Sequence, residues 1–198
     1  MRNVKIKRFI YGSASVKFVI LLMLLAGLGI AVDYRMSIPG SSLVDRLRAK
    51  PVVLDMDSLS GRETQSEITR TYHHLHHTCT SEINPLGDYV CWATVSEFNG
   101  IDARVIAFFF REGKLSAVRV SFAAENHPAM FSLMEKRYGP SRKFGGGTDA
   151  FGNNIVGWVR PSGFVTANDR LSGDEDALLL WVSTGNVLKK AFGIGFGH

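Results

Sequence analysis

Four of the six histidines in the chain stand within one run of five residues, His73-His74-Leu75-His76-His77. On a helix, residues at i, i+4 or i, i+3 share a face, so His73 with His77, or His74 with His77, could ligate zinc, copper or nickel. A closed site needs further ligands, and the nearby Cys79 is withdrawn if it is oxidised. The competing reading is a set of polar side chains at a helix C-terminus, where the dipole favours protonated imidazole. Asp169, Asp174, Glu175 and Asp176 around Ser172-Gly173 suggest calcium, but they lack the alternating carboxylates and twelfth-position glutamate of an EF-hand loop. A solvated loop between strands fits them better. Phe144-Gly145-Gly146-Gly147 has no lysine and no strand–loop–helix setting for a phosphate. No Gly-x-Ser-x-Gly, His-Glu-x-x-His or cysteine–histidine pattern occurs, so no catalytic residue is assigned. A hydrolase whose groups converge from distant positions is the enzymatic alternative.

Where these residues work is set by the start of the chain. Of 23 basic residues, five (Arg2, Lys5, Lys7, Arg8 and Lys17) fall in residues 1–17 with no acid among them, leaving 18 basic against 18 acidic. A nucleic-acid binder needs excess cations on its folded surface, so that class is excluded as a partner. Residues 18–32 run without a charged or strongly polar side chain. A helix of that length spans about 22 Å, and Lys17 can snorkel so that preceding residues lengthen it toward the ~30 Å of a bilayer core. Cations before the run, against Arg35 alone just after it, predict a cytoplasmic N-terminus and an exported remainder. Gly29-Ile30-Ala31 offers small residues for cleavage, but the apolar run continues to Val32 without a polar spacer, which favours a retained single-pass anchor over a cleaved signal. In a Gram-negative source the exported part lies in the periplasm. There Cys79 and Cys91, the only cysteines, are expected to pair, closing a loop worth roughly 3 kcal/mol as a structural staple.

With 45% hydrophobic residues, 13 Phe and 3 Trp among 198 residues, the rest of the chain can build a packed core. Residues 33–60 read as a juxtamembrane connector and 61–198 as the exported domain. Ser60-Gly61-Arg62-Glu63 matches a capping box, and Ile68, Tyr72 and Leu75 make an apolar stripe, predicting a helix over about 61–75. Residues 80–90 read as a loop with turns at Asn84-Pro85 and Gly87-Asp88. Strands are expected at 92–98, 103–110 and 115–122, the second apolar on both faces and so covered by a helix on one side and something else on the other. Pro128 opens a helix that Gly139-Pro140 stops, and further strands are expected at 155–159, 164–167 and 177–183.

The order helix, loop, Trp-bearing strand and two more strands thus occurs over 61–122 and again over 128–183, with Trp92 and Trp158 in corresponding places. The expectation is an α+β fold, a helix-on-antiparallel-sheet domain that two αβββ units could build. On an exported chain this order resembles the small two-layer α/β modules of outer-membrane-assembly lipoproteins and of β-lactamase-inhibitory proteins. The lipoproteins' lipid-attachment cysteine is missing, and no functional residue carries over. The resemblance implies binding to another envelope protein, or a part in envelope assembly, rather than catalysis.

Overall fold

The computed structural model describes residues 47–148, 154–171 and 175–184. The leader, the apolar run and the connector up to residue 46 lie outside them, as do 185–198. Among the described residues no helix is long and apolar enough to cross a membrane. The fold is α+β, with two short α-helices and one mixed sheet among the described residues.

The first helix, α1 (Gln65–Thr71), starts later than the sequence suggests. The Ser60–Glu63 pair forms, with the Glu63 carboxylate accepting from the Ser60 N–H and hydroxyl, but it closes a turn. A second box four residues on, Thr64 with Glu67, caps the helix. The helix ends at Thr71 because Tyr72 stacks on Phe108, 5.5 Å between ring centroids, and Leu75 drops into the core. The expected helix over 61–75 therefore shrinks to seven residues.

Residues 78–98 form a hairpin, so the loop expected over 80–90 is strand on both sides of a tight turn: β2 (Thr78–Asn84) and β3 (Gly87–Phe98), with Cys79 directly opposite Cys91 and the two disulfide-bonded. The Asn84 side chain makes the turn by accepting from the Leu86 and Gly87 N–H groups. The chain continues through β4 (Ile101–Asp102), β5 (Val105–Arg111) and β6 (Lys114–Phe122). Glu112 and Gly113, at φ 52° and 74°, make the tight turn between β5 and β6. Helix α2 (His127–Tyr138) carries Pro128 in its first turn and ends at Gly139, whose φ of 82° suits a residue without Cβ. Then come β7 (Arg142–Thr148), β8 (Asn154–Val159), β9 (Gly163–Asn168) and β10 (Ala177–Ser183).

Along the sheet the order is β1-β3-β5-β6-β10-β9-β8-β7, where β1 is Lys50–Val52, with β2 and β4 also against β3. Helix α1 is thus followed by five strands, three on this path and two beside β3, and α2 by four, rather than three each. The sheet is not wholly antiparallel as expected, because β1 runs parallel to β3. Nor do residues 50–59 behave as a connector: Val52, Leu54, Met56 and Leu59 are buried, and the Asn99 amide clasps the Leu54 backbone at both N–H and C=O.

The main core lies on one face. Ile68 of α1 and Met130 and Met134 of α2 join Ile106, Phe108 and Phe110 of β5, Val118, Val120 and Phe122 of β6, and Leu179 and Trp181 of β10. Each large apolar side chain so buried stabilises the fold by roughly 1.5–3 kcal/mol. Both helices therefore cover the same side. Trp158 packs there too, but Trp92 points to the opposite face, so their corresponding sequence positions do not give equivalent environments.

Candidate functional site

Cross-strand pairing builds the second face row by row. Trp92, Ala107, Arg119, Leu180 and Thr166 stand opposite one another across five strands. On one side of that row run Val90, Phe109, Ala117, Val182 and Phe164; on the other run Thr94, Val105, Ser121 and Leu178. Leu86, from the β2–β3 turn, packs over the first of these flanking rows, and no residue of α1 or α2 joins the cluster. On this face Val90, Ala107, Phe109, Ala117, Phe164 and Val182 are buried, Thr94, Val105, Ser121 and Thr166 are half-buried, and Arg119 is exposed. Trp92 and Leu180 are half-buried, and Leu178 is 37% exposed. The Arg119 guanidinium sits near the middle, 5.6 Å from the Phe109 ring centroid, which holds the charge by cation–π attraction. Tryptophan and arginine are among the residue types enriched at the energetic centres of protein interfaces.

Sequence reasoning noted that the strand expected over 103–110, which is β5, is apolar on both sides. It did not bring Trp92, Arg119, Leu178 and Leu180 together, since that needs the β6–β10 pairing across 55 to 65 positions of chain.

The histidines lie beyond the end of α1, so the helical spacing that would align His73 with His77 does not apply. His73 and His74 are exposed, with ring centroids 6.0 Å apart, and His76 is exposed as well. His77 turns inward: one ring nitrogen, Nε2, hydrogen-bonds the Tyr72 carbonyl, and the ring packs 6.1 Å from that of Phe108. Burial pushes its pKa down, the Tyr72 carbonyl acts against that, and His74 adds a smaller lowering. Cys79 is taken up in the disulfide. Among the described residues no three His, Cys, Asp or Glu side chains converge to hold a metal ion.

The acidic run is dispersed. Asp176 pairs with Arg104 at 2.6 Å, and Asp169 accepts from the Asn154 amide. Asp174 lies outside the described residues, and Gly145–Gly147 belong to β7 at the end of the sheet.

A second concave feature lies where α2 meets the sheet edge, a cleft of about 260 Å³ lined by Tyr138, Pro140, Arg142, Gly157, Trp158 and Val159. The Trp158 indole N–H donates to the Gly139 carbonyl at 2.7 Å and fixes one wall. Arg160, held by Asp57 through two hydrogen bonds, lies 4.5 Å above the Tyr138 ring. Burial first, then Asp57, push the Tyr138 hydroxyl up to about 12, so it stays protonated.

Comparison of the chain with protein-family models, with curated proteins and with solved structures gives no match.

Proposed function

We propose that this chain is a membrane-anchored, outward-facing, non-catalytic module whose sheet face binds another envelope protein, in the periplasm if the source is Gram-negative. The observation that carries the reading is the division of labour between the two faces of one sheet. Helices α1 and α2 cover one side, whereas the other presents Trp92, Arg119, Leu178 and Leu180 in register. Exposed apolar surface of this kind costs solubility unless something occupies it. A carboxylate on the partner opposite Arg119, surrounded by apolar groups that exclude water, would gain a charge-assisted hydrogen bond. The basic leader, the apolar run of residues 18–32 and the cysteine pair support the membrane placement.

A photoreactive benzoyl side chain placed at Leu178 of the full chain in living cells tests this. One defined adduct is expected, and Arg119→Glu should abolish it. Repeated absence of an adduct, or one indifferent to Arg119→Glu, rules out this face as the binding surface.

A further inference from the structure

The cleft beside α2 is chemically unlike the sheet face. Its floor is Gly157, which has no side chain, and its walls are aromatic and aliphatic, with Val159 50% exposed. Its rim is basic. Arg137 and Arg160 are each held by an acid, Asp55 and Asp57 respectively. Arg142 and Lys143, both exposed, have no carboxylate partner among the described residues. Because the chain after residue 17 is balanced in charge, this is a local excess rather than a general one. The negative end of the α2 dipole points this way, but the Trp158 indole takes up the Gly139 carbonyl, so that carbonyl is not left facing an incoming anion.

Size narrows the occupant. Small-molecule sites run from roughly 300 to 1,000 Å³ and enclose most of their ligand. A cleft of about 260 Å³ at a sheet edge instead suits a single side chain. We propose that it receives a phenylalanine- or leucine-sized anchor from an acidic segment of a partner protein, with Arg142 meeting a carboxylate next to that anchor. This rests on the protein-binding reading above and adds a second point of contact, away from Arg119. The protonated Tyr138 hydroxyl can donate to the same segment, and the Asp55–Arg137 and Asp57–Arg160 pairs hold the aromatic wall in place.

The probe is a fluorescein-labelled heptapeptide, Gly-Glu-Asp-Phe-Glu-Asp-Gly, titrated by anisotropy against the full chain in detergent micelles. Two companion peptides replace its acids with lysine or its phenylalanine with alanine. The acidic phenylalanine peptide should bind saturably, and each companion at least about tenfold more weakly, as loss of charge complementarity or of the anchor requires. Arg142→Glu and Val159→Asp should each weaken it by about tenfold or more, and Ile83→Asp, at an exposed position of β2, should leave it unchanged. Should Val159→Asp not fold, Arg142→Glu decides alone. The proposal is overturned by the absence of saturable binding at millimolar peptide, by equal binding of the lysine peptide, or by undiminished affinity in Arg142→Glu. Such a result with the Leu178 adduct still forming removes only the cleft; loss of both removes the protein-binding reading itself.

Discussion

At the scale of single residues, His77 gives the clearest solution signature. Its ring lies against Phe108, and its Nδ1 is buried without a hydrogen-bond partner. The folded state therefore favours the neutral imidazole, with a pKa below the ordinary 6.5. When the unfolded chain takes up protons that the folded one resists, stability falls as pH drops. The contribution of His77 should be complete above about pH 6.5 and fade below it, as pH falls toward the lower folded value. Thermal midpoints of the full chain near pH 7.5 and 5.5 should differ in that sense, and His77→Asn should flatten the difference. Glu63 also has a lowered pKa: burial raises it, but the hydrogen bonds from Ser60 and the neighbouring backbone outweigh that. Its contribution is lost only as pH falls below the ordinary 4.5 toward the lower folded value, a separate window. The four clustered histidines were legible as a cluster, but not the inward turn of His77, because Phe108 lies 31 positions later in the chain.

Among the elements, those with strong local chemistry were readable. Pro128 and Gly139 bracket α2, and Glu112-Gly113 turns β5 into β6, as their backbone preferences require. Strands β2 and β7 escaped because neither carries an apolar alternation. Thr78–Asn84 is largely exposed, and Arg142–Thr148 is interrupted by three glycines. The capping signal before α1 was right in kind and displaced by four residues, since Ser60–Glu63 and Thr64–Glu67 satisfy the same local rule and Ile68 burial selects the second. The Cys79–Cys91 bond ties a polar edge strand to β3. Replacing both cysteines with alanine should destabilise the domain by about 2–4 kcal/mol in a urea melt, with loss of order beginning in β2.

For the whole molecule, the governing feature is that both helices fall on one side of the sheet. Trp92 and Trp158 lie in strands that follow α1 and α2 at the same rank, yet they face opposite sides. An αβββ pattern written twice gave the right helix order but missed β2 and β4 after α1 and β7 after α2. The mixed character of the sheet comes from Lys50–Val52, a stretch too short to carry a period of its own, which pairs with β3 while the Asn99 amide holds the chain just after it. The proposed membrane orientation rests on the entire chain. A phosphatase reporter fused at the C-terminus should be active only when exported, and changing Arg2, Lys5, Lys7 and Arg8 to glutamate should reduce its activity severalfold. An inactive phosphatase fusion on the unaltered chain would remove the exported placement.

The amino-acid order by itself determined the charge asymmetry, the apolar run, the two main-sheet helices and most of the inner strands, because each is written in neighbouring residues whose side chains or backbone angles act locally. Only the tertiary structure decided which face of the sheet α1 and α2 cover, where Arg119 and Leu180 meet, and how Arg142 comes to lie beside Trp158. Those adjacencies depend on strand register, in which a slip of one residue sends every side chain to the other face, and register is set by burial summed over the entire sheet.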